Sequence, residues 1–294
     1  MATNKSFFTP GPCGDQDYEQ VRDLPQAREC RRLVEELWQD YAPYSDPNCL
    51  SDARNHFHQR FWEMYLCVTM LKRGFVIEQA GGEGPEFSTT IGERKVWFEA
   101  IAPLVGSGPD RVLKLEMGKL NWPSPEPVLM RYTAALSEKL RKYQECRAKG
   151  IVSERDGYVV AINANKIPNA CFVSLLSLLP YYVQAFLPFG TYTVTINPRT
   201  SEKVDEHYQY RNEVKKQSGS AVSTQPFLDP AYVGISAVIH SISNVAGYAC
   251  STKKWGDDFE VLHNPMAANP LPYDALRWCK YRYVHDGVIE TVTR

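Results

Sequence analysis

The sequence predicts an α/β protein with a mixed central β-sheet flanked by helices, and three observations carry that expectation. Short runs such as GYVVAIN, YVGISAVIHSI and DFEVLH read as strands, GYVVAIN of the buried type. Long segments with apolar residues at helical spacing stand among them, and no composition break divides the chain. Apolar residues make up 44% of the 294 residues and charged residues 23%, enough for a large core and too few charges for pervasive disorder.

Taken in order, the stretch from about residue 15 to 55 contains a helical segment near ARECRRLVEELWQDYA, and residues 1–55 read as an N-terminal helical arm. A single α/β domain over 56–294 follows. HFHQRFWEMYLCVTMLKRG sets Phe57, Phe61, Tyr65, Val68 and Leu71 at helical spacing, with Gly74 to end the helix. Its other side is also apolar, which predicts burial on more than one face. FVIEQ predicts a short strand and AGGEG a flexible connection. PEFSTTIGERKVWFEAI predicts a hairpin turning at Gly92-Glu93, glycine first as a type II′ turn prefers.

A loop rich in Gly and Pro leads to a strong helix over 127–149, and then to GYVVAIN. The apolar stretch 170–190, ACFVSLLSLLPYYVQAFLPFG, approaches membrane-spanning length. Pro180, Gln184 and several serines interrupt it, so a buried helix pair is expected and no membrane span. TYTVTIN is a strand candidate, 199–225 is polar with KKQSGSAVSTQ as an exposed loop, and the C-terminal region ends in an aromatic, strand-like tail.

The formal charge of −1 gives no general attraction for polyanions, so nucleic-acid contact needs a local basic surface. Eight scattered cysteines form no CxxC pair and no Cys/His cluster, which argues against structural zinc and fits reduced thiols. The first 16 residues lack the apolar core of a signal peptide, and a cytoplasmic location is expected.

A Gly92-Glu93 turn sets Ile91 against Arg94, Thr89 against Val96, Phe87 against Phe98 and Glu86 against Glu99. The phenylalanines then share one face and the carboxylates the other, so the apolar set is expected to pack away from the acids. Directly opposed carboxylates repel, and no nearby lysine neutralises both. A hard divalent cation, Mg²⁺ or Mn²⁺, would relieve that repulsion with oxygen ligands. Glu63, inside RFWEMYLC, needs a cation, an arginine or a proton, either the same metal or Arg60. His56 and His58 stand near the start of its helix as metal assistants or as capping and core residues. His240 reads as a satisfied strand residue, and His263, Asn264 and Asn269 as part of a turn in HNPMAANPLP.

A helix bearing Glu63, a strand, GPEF, a turn and VWFEAIAP together resemble the PD-(D/E)xK, or restriction-endonuclease-like, nuclease superfamily. The resemblance covers about residues 56–163 by element order and implies a restriction-endonuclease-like core with a strand-rich C-terminal extension. Pro85-Glu86 then corresponds to the Pro-Asp pair, with Glu in place of Asp, and Glu99 to the first acid of (D/E)xK. Ile101 stands where the lysine belongs. Lys95 has the right parity but lies about 13 Å along the strand from Glu99. On PVLMRYTAALSEKLRKYQECRAKG, Arg131, Ala135, Lys139 and Lys142 fall near one stripe, which makes Lys139 the first candidate for the displaced lysine and Lys142 the second. The alternative is a basic stripe that simply faces water. Some branches of the superfamily place a Gln on this helix, which makes Gln144 an assistant.

The activity implied is metal-dependent hydrolysis of nucleic-acid phosphodiesters, DNA favoured, with 5′-phosphate and 3′-hydroxyl products. Glu63, Glu86 and Glu99 would hold one or two Mg²⁺ or Mn²⁺ ions, and Lys139 or Lys142 would stabilise charge on the phosphate. Backbone contacts are assigned to Arg131, Arg141, Gln144, Arg147 and Lys149 and, in the polar loop, to Lys215 and Lys216. Such contacts position without reading sequence. No membrane partner is expected, and a homodimer is compatible with this reading. Two rivals remain: a nuclease-like fold kept for binding, which Ile101 favours, and a retaining glycosidase using Glu86 and Glu99 with Trp97 as sugar platform.

Overall fold

The computed structural model describes residues 6–79, 82–114, 124–251 and 254–293; Ala80 and Gly81 of the expected AGGEG connection, and 115–123 of the Gly/Pro-rich loop, lie outside the described residues. Four helices come first: α1 (Gln16–Asp23), α2 (Arg28–Tyr41), α3 (Cys49–Ala53) and α4 (Phe57–Lys72). With apolar residues on most of its circumference, α4 is buried from Phe57 to Met70 except at Gln59 and Arg60. The Trp62 indole N–H donates to the Ala161 carbonyl at 2.9 Å and fixes the helix against the sheet. Gly74 ends the helix in the left-handed region, φ +89°, and lets the Phe75 N–H return to the Met70 carbonyl at 3.0 Å.

Next come β1 (Glu78–Gln79), β2 (Phe87–Ile91) and β3 (Arg94–Ile101). Only the last two residues of FVIEQ pair as a strand. The hairpin adopts the expected register, with Phe87 opposite Phe98, Thr89 opposite Val96 and Ile91 opposite Arg94. Gly92 has φ +65° while Glu93 does not enter the positive region, as a type II′ turn requires. The long helix α5 (Glu126–Ala148) carries the chain from β3 to its parallel neighbour β4 (Gly157–Asn163), the crossover that parallel strands demand.

Beyond β4 lie α6 (Tyr181–Phe186), the ribbon β5 (Phe189–Ile196) with β6 (Lys203–Tyr210), and the short ribbon β7 (Glu213–Lys215) with β8 (Ala221–Ser223). Then β9 (Ala237–Ser241), α7 (Val245–Ala249), β10 (Glu260–His263), β11 (Lys280–His285) and β12 (Val288–Val292) complete the fold. The main sheet has eight strands in the order β1-β2-β3-β4-β9-β10-β11-β12, with both parallel and antiparallel pairs.

Strand parity divides the core. Val96, Phe98 and Ala100 of β3 and Val159 and Ala161 of β4 join α4, and with it Phe7, Tyr18, Leu37 and Trp38 of the arm, in one buried cluster. Trp97, Ile101, Tyr158, Val160 and Ile162 face the other way, into a cluster with Leu136 and Leu140 of α5 and with α6. Residues two apart on a strand thus serve the same layer of helices, and adjacent residues serve opposite layers.

Two expectations are corrected. The apolar residues of the hairpin do not pack on one face only, because α5 covers the face that carries Glu99 as well. The stretch 170–190 is not a helix pair: α6 is its one helix, and Leu175, Leu176 and Leu178 before it are exposed. The Ser174 and Ser177 hydroxyls accept from the Leu176 and Leu179 N–H groups, local turns that compete with a helix, and Leu178 takes a left-handed φ of +57°. Among the described residues no helix is long and apolar enough to cross a membrane. In the polar region 199–225, the segment expected as an exposed loop is itself partly paired in β7 and β8.

Candidate active site

Glu99 is the one acid in the inward-facing set of β3 on the α5 side, and the helix answers it. Lys139 Nζ donates to Glu99 Oε1 at 2.7 Å, with the carboxylate almost fully buried and the lysine mostly so. The burial of Lys139 works against its charge, but the attraction and hydrogen bond of Glu99, with Glu86 adding, hold its pKa above the ordinary lysine value.

On the other side of the sheet α4 brings up Glu63, also buried. Arg60, one turn earlier, donates to Glu63 Oε2 at 2.7 Å, and the Gln59 amide donates to Oε1 at 2.8 Å. Gln59 further accepts from the Ala102 N–H at 2.6 Å, tying α4 to the end of β3. Burial lifts the Glu63 pKa above the usual range even though Arg60 and Gln59 pull it down. Arg60 also reaches Asp46 at 2.8 Å and Asp52 at 2.6 Å, both from the arm.

Glu86 stands one residue before the first pair of the β2–β3 ladder, the position that the same register sets against Glu99. It makes no hydrogen bond or ion pair among the described residues. Burial, then repulsion from Glu63 and Glu99, pushes its pKa well above the ordinary glutamate value, against a smaller pull from Lys139 and Arg60. The Tyr158 hydroxyl, which feels both Glu99 and Glu86, is buried and has no hydrogen-bond partner among the described residues.

These groups surround a cavity of about 740 Å³, which Glu63, Glu86 and Glu99 line with Lys142, and with Asp46 and Asp52 of the arm. Five carboxylates therefore meet two lining cations, Arg60 and Lys142, and the buried Lys139 behind Glu99. Lys142 is half-buried and forms no ion pair among the described residues. The donor set is of the hard-oxygen type, yet no three His, Cys, Asp or Glu side chains among the described residues form a group that could hold a metal ion. Magnesium does not need such a cage, since one or two carboxylates, waters and a substrate phosphate complete its shell. Glu86, which forms no ion pair among the described residues, with Glu99 beside it, fits that role.

The remaining candidates separate. Arg131 lines an adjoining cavity of about 670 Å³, which shares Asp52, Arg60 and Glu63 with the first. Lys216 meets Arg131 around a third. Arg147 is committed to the Val152 carbonyl and Glu154, and Lys149 pairs with Glu83 at 3.0 Å, pinning the loop that precedes Glu86. Arg141, Gln144 and Lys215 are exposed and line neither of the two adjoining cavities. His58 is buried against Asn163, its burial lowers its pKa to about 4, and it lines the Arg131 cavity together with the exposed His56. His240 lies between Tyr132 and Tyr182, and Asn264 bridges the Tyr232 and Ile235 carbonyls. Trp97 is buried, donates to Asp156 and does not line the carboxylate cavity, so it offers no sugar platform.

Asp46, Asp52, Tyr41 and Tyr44 enter the site from the arm, where the sequence predicts no site residue. The available signal was Arg60 itself, a second charge in a largely apolar helix that one glutamate alone would not satisfy.

Comparison of the chain with protein-family models, with curated proteins and with solved structures found no match.

Proposed function

We propose that the protein is a metal-dependent nuclease that hydrolyses phosphodiester bonds at the Glu63, Glu86, Glu99 and Lys139 constellation. The observation that carries this reading is the convergence of three acids from separate segments on one cavity, with a helix-borne lysine on Glu99 and one acid without an ion pair among the described residues. A restriction-endonuclease-like core over about residues 56–163 is part of the proposal: helix, hairpin, crossover helix and parallel strand follow one another there as that superfamily would have them.

Glu86 and Glu99 would hold Mg²⁺ or Mn²⁺. When bound, the ion lowers the pKa of a water and polarises a phosphoryl oxygen. Lys139 holds Glu99 in place through the 2.7 Å ion pair and, standing in for the lysine absent at Ile101, would stabilise charge on the phosphate. Lys142 adds positive charge inside the cavity. Glu63, held by Arg60 and Gln59, lines the cavity beside them.

A second reading, a nuclease-like fold that binds nucleic acid without cutting it, is favoured by Ile101 and by the ion pairs that already satisfy Glu63 and Glu99. Incubation with DNA and RNA substrates in Mg²⁺ or Mn²⁺, beside an EDTA control, separates the two. The nuclease reading expects cleavage with 5′-phosphate ends that EDTA abolishes and Glu99→Gln removes. Binding without cleavage on every substrate, or cleavage that resists EDTA, would contradict it.

A further inference from the structure

The arm and the core enclose the carboxylate cavity together. Tyr41, Tyr44, Asp46 and Asn48 form one wall, and Glu86, Glu99 and Lys142 another. Arg60 fastens the two, since its guanidinium reaches Asp46 and Asp52 of the arm and Glu63 of α4 at once. Two of the acids inside, Glu63 and Glu99, are 4% exposed. A volume of about 740 Å³ is that of a small-ligand pocket, within the ordinary range of about 300–1,000 Å³. The phosphates of a double helix lie on a stiff, convex backbone and would have to enter such a recess without their partner strand. A single strand can turn one nucleotide inward and stack its base on an aromatic ring. Tyr44, half-buried on the wall, offers that ring.

The second cavity continues the path. It shares Asp52, Arg60 and Glu63 with the first, and it adds Arg131. The Arg131 Nε is buried without a hydrogen-bond partner among the described residues, and the side chain packs so closely over Gly106 that a Cβ there would come within 2.4 Å of it. Gly106, at φ +81°, leaves room for a guanidinium that has no ion pair among the described residues.

We propose that this site takes a single nucleic-acid strand, one nucleotide in the carboxylate cavity and the neighbouring phosphate beside Arg131, and excludes the double helix. The inference rests on the nuclease reading for the identity of the polymer. Fluorescence anisotropy with a labelled 12-nucleotide DNA strand, the RNA of the same sequence and the blunt DNA duplex, all in Ca²⁺, tests it on the full chain. A single strand should bind at least 30-fold more tightly than the duplex. Tyr44→Ala should weaken that binding about tenfold, the scale of one lost base stack, while Tyr44→Phe keeps it. Arg131→Met should reduce the salt dependence by about one phosphate contact. Duplex binding equal to single-strand binding, no single-strand binding, or indifference to Tyr44→Ala in a folded variant overturns the proposal. Cleavage of the same oligonucleotides in Mg²⁺ and Mn²⁺ reports on the nuclease reading separately: selective strand binding with no cleavage sinks that reading and leaves the strand preference standing.

Discussion

Two partly buried charge clusters lie on the same sheet, and they are built in opposite ways. Around Glu260 on β10, every charge has its answer: Arg282 and Lys280 from β11 pair with the carboxylate, the Tyr182 hydroxyl donates to it at 2.6 Å, and the Tyr182 ring stacks on His240 at 4.3 Å. Burial works against the Glu260 charge, but Arg282 and Tyr182 overcome it and bring the pKa down to about 2. Around Glu86 the balance runs the other way. Burial and two neighbouring acids push that carboxyl up against a smaller pull from Lys139 and Arg60, and no cation among the described residues forms an ion pair with it. Burial of charge is common to both clusters, so burial alone does not mark a functional site. Imbalance does, because a carboxylate held beside others without a partner is unstable until something positive arrives.

The comparison breaks most sharply at Glu86. Glu86→Gln should lower cleavage by more than about a hundredfold, beyond the 10–100-fold range of an outer-sphere partner, when initial rates in Mg²⁺ are compared. Arg282→Leu should instead destabilise the fold by about 3 kcal/mol, the lower end for breaking a buried pair because Glu260 is partly open to solvent. Urea unfolding reads that loss, and the folded fraction should cut as before. Lys142→Ala, which breaks no ion pair among the described residues, should cost about tenfold in rate and leave the unfolding midpoint within the small range of surface substitutions.

The smallest effect is a difference in sign. Glu260, with its folded pKa lowered, contributes stability that is present above the ordinary glutamate value and lost as pH falls towards about 2. Glu86, with its folded pKa raised, contributes stability that is present below the ordinary value and lost as pH rises through its folded pKa. Glu86→Gln should therefore be more stable than the parent at neutral pH, with a flatter dependence from mildly acidic to neutral solution, as thermal unfolding across pH would show.

What was legible in the sequence was what local chemistry decides. The hairpin register follows from a Gly92-Glu93 turn and from two phenylalanines that must share a face, and the structure pairs Phe87 with Phe98 accordingly. Lys139 could be singled out because a helical stripe beside Leu136 and Leu140 points at the sheet, and it lies against Glu99. Long-range closure was not legible. The arm's Asp46 and Asp52 reach Arg60 only because α3 folds back over α4, and Glu260 meets Tyr182, 78 residues earlier, through packing of α6 on the sheet that no local pattern records. The segment before Pro180 misled for a different reason, since its leucines suit a helix while Ser174 and Ser177 divert the backbone into turns.

On the proposed reading, Glu86 is the open position for a divalent cation. Calorimetric titration of the full chain with Mn²⁺ at pH 6 and pH 8, beside Glu86→Gln, tests it most directly. The account predicts binding that tightens with pH as the cation displaces a proton from Glu86, and its loss in the variant. Binding that Glu86→Gln leaves intact, or no binding at either pH, would contradict it.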